Sequence, residues 1–290
     1  MRGMFMKSRK LLCLLMVFML LFSGCVQVPA ATEPTETKGS EEPVDDTITV
    51  LFIGNSFTYY NDMPMELFKK MAEDAGYKVK VFHITKGSYK LSKFAQPLDE
   101  YGGKVDNALA KENRYNYVVL QEHSTLPASG DVDQFYTAVR NLSDRIRSAG
   151  ATPILYSTWG YKTGHSSLKD YGGTTEAMTW KLAAAYRAIG FELGIDVAYA
   201  GLAFYDVYTK YSMLELYNKD LYHPSYAGSY LAAATLFATI FDEDPTTLTF
   251  TGTLEERHAE VFLEAARAAV FETPEIPREY KVSSVGVGGK

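Results

Sequence analysis

The chain has 290 residues and only two cysteines, Cys13 and Cys25, both within its first 25 positions. A disulfide framework or a Cys-ligated zinc site is therefore excluded for the rest of the chain. The soluble part also lacks a Lys/Arg-rich run, and the formal net charge is -6. The electrostatic footprint of a DNA- or RNA-binding surface is missing, which excludes nucleic-acid partners. No carboxylate/His set stands at metal-ligand spacing and no glycine-rich phosphate loop occurs, so no metal and no nucleotide cofactor is implied. Apolar residues, by contrast, are plentiful. A composition 47% hydrophobic, 22% charged and 13% aromatic belongs to a chain that folds around a core.

The first 25 residues carry their own signal. Arg2, Lys7, Arg9 and Lys10 precede an unbroken apolar run over residues 11–22, which Ser23, Gly24 and Cys25 close. Charged, apolar and small-residue regions in that order make a secretory signal, too short to span a bilayer comfortably. The run Phe22-Ser23-Gly24-Cys25 resembles the lipobox of bacterial lipoproteins, with Phe where that pattern prefers Leu. The resemblance implies cleavage after Gly24 and lipidation of Cys25, hence an exported protein held on the extracytoplasmic side of a bacterial membrane through a lipid anchor only. Plain secretion and an uncleaved anchor are the alternatives. Loss of residues 1–24 removes four positive charges and no negative ones, taking the net charge from -6 to -10. Residues 26–47 then hold three prolines, six acids and one lysine without apolar periodicity, which reads as a solvated linker. A flexible chain of that length spans about 25 Å. The division is residues 1–24 as signal peptide, 25–47 as lipidated cysteine and acidic linker, 48–273 as the folded domain and 274–290 as a C-terminal tail.

From Ile48 short apolar runs alternate with amphipathic stretches. Strands are expected over Thr47–Ile53, Lys78–Ile84, Tyr115–Leu120, Thr152–Ser157 and Asp196–Tyr199. Helices are expected from Asn61 or Asp62 with Pro64 to Gly76, and over Leu98–Lys111, Val132–Ala149, Thr175–Leu193, Ser225–Phe241 and Leu254–Ala269. Strand and helix in regular alternation imply parallel strands with right-handed crossovers. The expected fold is α/β, a three-layer α/β/α sandwich on a five-stranded, mostly parallel sheet.

Ligands of such sheets sit beyond the carboxyl ends of the strands. Four places of interest hold polar residues: Gly54-Asn55-Ser56 after the first strand, Lys86-Gly87-Ser88 after the second, Gln121-Glu122-His123-Ser124 after the third, and Asp220-Leu221-Tyr222-His223-Pro224 before the helix starting near Ser225. Each alone suits an ordinary turn. Pro224 drives His223 into an extended conformation and fits the first turn of a helix, which fixes the imidazole. Asp220, three residues earlier, can accept the Nδ1 proton and leave Nε2 free as a base. A serine hydroxyl is nearly inert at neutral pH until such a base takes its proton. Ser56, His223 and Asp220 supply nucleophile, base and acid, while the N–H groups of Ser56 and Gly87 and the side-chain amide of Gln121 are candidate donors to an oxyanion.

With these blocks in this order, the sequence resembles the SGNH, or GDSL-like, hydrolase superfamily, over the stretch from Ile48 to Phe241. The resemblance implies a flavodoxin-like arrangement, Ser56 as nucleophile, Gly87 as second oxyanion donor and the Asp220–His223 pair as acid and base. Two departures stand out. Asn55 replaces the usual aspartate before the serine, and the Gly-X-Asn-Asp block expected after the third strand is absent, leaving Gln121 to stand for its Asn donor.

Among the remaining candidates, His123 is a rival base with only its neighbour Glu122 for an acid. His83, within the second strand, is expected to be packed. His165 lies in the segment 160–173, a lid, a substrate wall or a surface loop, and Trp159 either lines the crevice as a sugar-stacking face or belongs to the core. Asn55, His123 and Trp159 are thus the substrate-lining candidates. The resulting expectation is a carboxylic ester hydrolase without cofactors, acting on small acyl esters, O-acetyl groups on glycans foremost. A lysophospholipase or thioesterase of the same fold and a non-catalytic glycan-binding lipoprotein are the alternatives, and its partner is a small-molecule or glycan ester.

Overall fold

The computed structural model describes residues 45–282. The signal peptide, Cys25 and most of the linker lie outside the described residues. Five strands form one sheet: β1 (Ile48–Gly54), β2 (Val79–Thr85), β3 (Tyr117–Leu120), β4 (Thr152–Tyr156) and β5 (Val197–Ala198). Their order is β2-β1-β3-β4-β5 and every pairing is parallel. The expected three-layer α/β fold is what is found.

The helices are α1 (Ser56–Tyr59), α2 (Lys69–Asp74, entered through a π-helical turn Met63–Phe68), α3 (Leu91–Phe94), α4 (Glu100–Leu109), α5 (Thr125–Ser129), α6 (Asp133–Ser148), α7 (Thr175–Leu193), α8 (Ala200–Lys210), α9 (Tyr226–Phe241) and α10 (Glu256–Phe271). The chain steps from β1 outward to β2, then reverses across β1 to β3. Right-handed crossovers consequently put α2 on one face of the sheet and α4, α6 and α7 on the other. Helices α8 to α10 return to the face of α2, where α9 packs against α2, α8 and α10. That environment explains its composition: Leu231, Leu236, Phe237 and a run of alanines are all buried, leaving almost no polar stripe. Helix α6 has the opposite pattern. Phe135, Val139, Leu142 and Ile146 form one buried edge, and the other edge is charged.

The sheet interior is apolar from end to end, with Val50 to Ile53 and Val118 to Leu120 at most 1% exposed. β2 is an edge strand, and its outward residues are open; His83 is exposed there, not packed as the apolar run suggested. The register aligns the ends of the central strands. Ile53 pairs with Ile84 on one side and Leu120 on the other, so the polar residues after all three strands emerge at the same rim.

Gly54 closes β1 where backbone and neighbours come very close. A Cβ there would lie 2.5 Å from Thr58 Oγ1 and 2.6 Å from Gln121 Oε1, two atoms that are hydrogen-bonded to each other. Gly54→Ala is expected to destabilise the fold by about 1–3 kcal/mol through overpacking. The check is urea unfolding of both proteins, in which the midpoint falls while the slope stays the same.

Candidate active site

The turn after β1 places Ser56 as the first residue of α1. Asn55 caps that helix by accepting the Phe57 N–H with its Oδ1 (3.2 Å) and reaches across with Nδ2 to the carbonyl of Tyr89 (3.0 Å). An aspartate could cap but could not donate, which gives the departure at this position a physical meaning. Because both ends of the amide are engaged and the residue is 1% exposed, Asn55 is a brace of the turn and does not line the substrate space.

His223 arrives from the other end of the chain on the loop between α8 and α9. Its Nε2 lies 2.9 Å from Ser56 Oγ, and its Nδ1 lies 2.7 Å from Asp220 Oδ2. Asp220 also accepts the backbone N–H groups of Tyr222 (3.2 Å) and His223 (3.0 Å) through Oδ1. Leu221, at φ 68, makes the left-handed bend that folds this carboxylate back onto its own loop. Burial pushes the Asp220 carboxyl up, but the donors from His223 and Tyr222 outweigh it and hold it below the usual carboxylate range. A carboxylate at Nδ1 fixes the proton on that nitrogen and turns the Nε2 lone pair toward the serine. The three side chains expected to act as nucleophile, base and acid are therefore in bonding order, with Ser56 and His223 each 9% exposed.

Two rings that the sequence did not single out frame the imidazole. Tyr60 stacks on it at 4.1 Å with planes 7° apart, and Tyr222 tilts against it at 4.0 Å. Tyr59, which follows Ser56 by three residues, is 37% exposed at the same rim. Behind this front lies Trp159. It is fully buried, stacked on Phe204 at 3.9 Å, and its Nε1 donates to the Tyr222 carbonyl (3.0 Å). Of the two readings of Trp159 the core one holds: it supports the His223 loop from beneath and offers no face to a sugar. The segment 160–173 packs on that loop, with the Lys162 N–H on the Leu221 carbonyl (2.8 Å) and His165 against Tyr161 and Tyr222.

At the end of β2, the Lys86 N–H donates to the Gly54 carbonyl (3.1 Å) and sets Gly87 beside the Ser56 turn. Gly87 is exposed, and a Cβ on it would come within 3.1 Å of the Tyr59 hydroxyl. Among the described residues, the N–H groups of Ser56 and Gly87 have no protein acceptor.

Gln121, the third candidate donor, is turned inward. Its Oε1 accepts the Asn55 N–H (2.8 Å) and the Thr58 hydroxyl (2.9 Å), and its Nε2 donates to the Glu122 carbonyl. The Asn55 N–H can only donate, so the amide cannot be flipped. With no exposed surface, Gln121 ties the Ser56 turn to β3 and is not placed to meet an oxyanion. His123, half-buried, stands three residues beyond Leu120 just as Ser56 stands three beyond its partner Ile53, and its Nδ1 lies 2.8 Å from Thr125 Oγ1. Burial, then the positive charge of Lys90, pushes the His123 imidazole down toward the neutral form.

Glu122 is a buried carboxylate with a structural task. Its oxygens accept the Leu91 N–H (3.1 and 3.2 Å) and the His123 N–H (2.6 Å), which fastens the loop after β2 to the end of β3. Burial pushes it up to about 7, against the pull of those two donors and of Lys90. A carboxyl raised in the folded state adds stability below its unfolded value and loses it as pH rises toward 7. Relative to Glu122→Gln, the wild type should therefore lose of order 3 kcal/mol of unfolding free energy between pH 4.5 and 8. Urea unfolding of the two proteins across that range reads the difference; a constant gap would contradict it.

No protein-family model matches the chain, and no curated protein does either. Solved structures do. A protein from Slackia heliotrinireducens assigned to the SGNH hydrolases is 31% identical, covering 67% of this chain and 99% of that one with a TM-score of 0.57. A DUF4886 family protein from Bacteroides uniformis shares the fold at 23% identity and a TM-score of 0.66, covering 83% of this chain and 98% of that one. With the nucleophile turn and the histidine loop at the expected rim of the expected sheet, the chain belongs to the SGNH hydrolase superfamily.

Proposed function

We propose that the protein is a carboxylic ester hydrolase that removes small acyl groups, O-acetyl groups on glycans in the first place, through an acyl-enzyme on Ser56. The single observation that supports this most is the unbroken series Ser56 Oγ, His223 Nε2, His223 Nδ1, Asp220 Oδ2, with steps of 2.9 and 2.7 Å across the two bonded contacts. In this reading His223 takes the serine proton as Oγ attacks the ester carbonyl, and Asp220 holds the tautomer and stabilises the imidazolium. The free N–H groups of Ser56 and Gly87 then meet the oxyanion. His223 returns the proton to the leaving alcohol, a water repeats the sequence in reverse, and the acid is released. His123, beyond the end of β3 at the same rim, is assigned to lining the substrate, and Gln121 has no part in the chemistry.

The glycan preference is supported by the rim. Tyr59, Tyr60 and Tyr222 present rings with polar tips around the nucleophile, the surface on which a sugar ring stacks with its hydroxyls toward water. These tyrosines take the place that the buried Trp159 cannot fill. Export and anchoring through Cys25 belong to the same proposal and rest on the amino-terminal sequence. An acidic body tethered at a membrane surface meets neutral acetylated polymers more readily than anionic lipid headgroups.

Hydrolysis of acetylated sugars and of aryl esters of increasing acyl length tests the substrate class. Activity should be greatest on acetyl esters and fall steeply as the acyl chain grows beyond about four carbons. A preference for long acyl chains would turn the assignment to a lipase or thioesterase. His223→Ala should lower kcat by about 10⁴ or more, and Ser56→Ala by at least as much, leaving only the residual rate that the oxyanion donors and substrate binding sustain.

A further inference from the structure

Ser56 and His223 are 167 positions apart and must stay within hydrogen-bond reach. Among the described residues, few other hydrogen bonds join the nucleophile segment, residues 55–62, to the His223 loop and the start of α9. All of them involve Asn61 or the residue it touches. Asn61 Nδ2 lies 2.8 Å from Ser229 Oγ, 3.1 Å from the Ser225 carbonyl and 3.2 Å from the Pro224 carbonyl, and Ser229 Oγ lies 3.3 Å from the Tyr60 carbonyl. Carbonyl oxygens only accept, so the amide nitrogen must be the atom that faces them. Asn61 itself is an exposed residue, yet its donors point back into the molecule at the carbonyls of the two residues that directly follow His223.

The backbone there is unusual. Asn61 and Asp62 are successive left-handed residues, at φ 56 and φ 49. Asparagine is among the few residues that tolerate this region, and a strained pair of this kind persists only when its surroundings hold it. The result of the double bend is that the Tyr60 ring and the Asn61 amide both face the histidine loop, one against the imidazole and the other against the main chain behind it.

We propose that Asn61 is a positioning residue for His223, which fixes the distance between base and nucleophile by clamping the Pro224 and Ser225 carbonyls to the segment that carries Ser56. The proposal rests on the esterase reading of the site. His223 is also held from within its own loop, by its carbonyl on the Asn218 N–H (2.8 Å), so loss of the clamp should loosen the geometry without unfolding the loop. A displacement of the order of 1 Å between reacting groups costs about 10²-fold in rate.

The experiment compares kcat, KM and thermal unfolding for wild type, Asn61→Gly and Asn61→Asp on an aryl acetate. Glycine keeps the left-handed backbone and removes the clamp; aspartate keeps the shape and backbone preference but presents oxygen to the two carbonyls. The expected result is a fall in kcat of about 10- to 100-fold in both variants, with KM within about twofold of wild type and, for Asn61→Gly, an unchanged unfolding midpoint. Wild-type kcat in both Asn61 variants would overturn the clamp, as would a loss of kcat that merely follows a loss of folded protein. An inactive wild type would overturn the esterase reading itself, a result distinct from either.

Discussion

The contact between Ser56 Oγ and His223 Nε2 is the constraint around which the rest of the molecule is arranged. It joins a residue at the end of the first strand to one that arrives after five strands and eight helices, and no local structure brings them together. The parallel sheet does part of this work by ending β1, β2 and β3 at one rim. The layer of α2, α8, α9 and α10 does the rest by delivering the loop before α9 to the same edge. The core is therefore connected to the site through geometry: a shift of the α9 layer relative to β1 moves His223 relative to Ser56.

A second theme is how many of the polar residues at this rim hold other residues in place. Asn55 caps α1 and ties down the loop after β2, Gln121 joins the serine turn to β3, Glu122 fastens the β2 loop to the β3 end, and Trp159 supports the histidine loop through the Tyr222 carbonyl. All four are at most 1% exposed. A buried polar group without a partner costs about 1–3 kcal/mol, so these contacts are obligatory once the side chains face inward. By contrast, the backbone N–H groups of Ser56 and Gly87 have no protein acceptor among the described residues, and they are the donors the proposed chemistry uses.

The fold was readable from the sequence because both of its periods are strong. Runs such as Val118 to Leu120 and the apolar edge of α6 are the direct imprint of burial on chain geometry. Asp220 and His223 were readable for a different reason, since their spacing and the following Pro224 constrain where such side chains can go, whereas Ser56 stood out only together with the other strand-end blocks and the family they resemble. What could not be read was direction. Past the end of a strand the alternation of faces lapses, so nothing in Val-Val-Leu-Gln-Glu-His says that Gln121 is fully buried while His123 is only half-buried. Trp159 shows the same ambiguity after β4. Polar residues before a proline suit a helix start, which placed the beginning of the first helix near Asn61 and Asp62; instead α1 begins at Ser56, and those two residues form a left-handed bend ahead of a π-helical turn. A helical period cannot reveal such a bend, and the bend is what aims Tyr60 and Asn61 at the histidine loop.

The central claim is that one hydroxyl, activated by one imidazole, forms a covalent intermediate. Mass mapping of the protein after reaction with a fluorophosphonate reads this most directly. The account predicts a single adduct on the peptide that contains Ser56, forming at a rate that falls by orders of magnitude in His223→Ala. An adduct on a different serine, or modification of Ser56 at an undiminished rate without the imidazole, would contradict it.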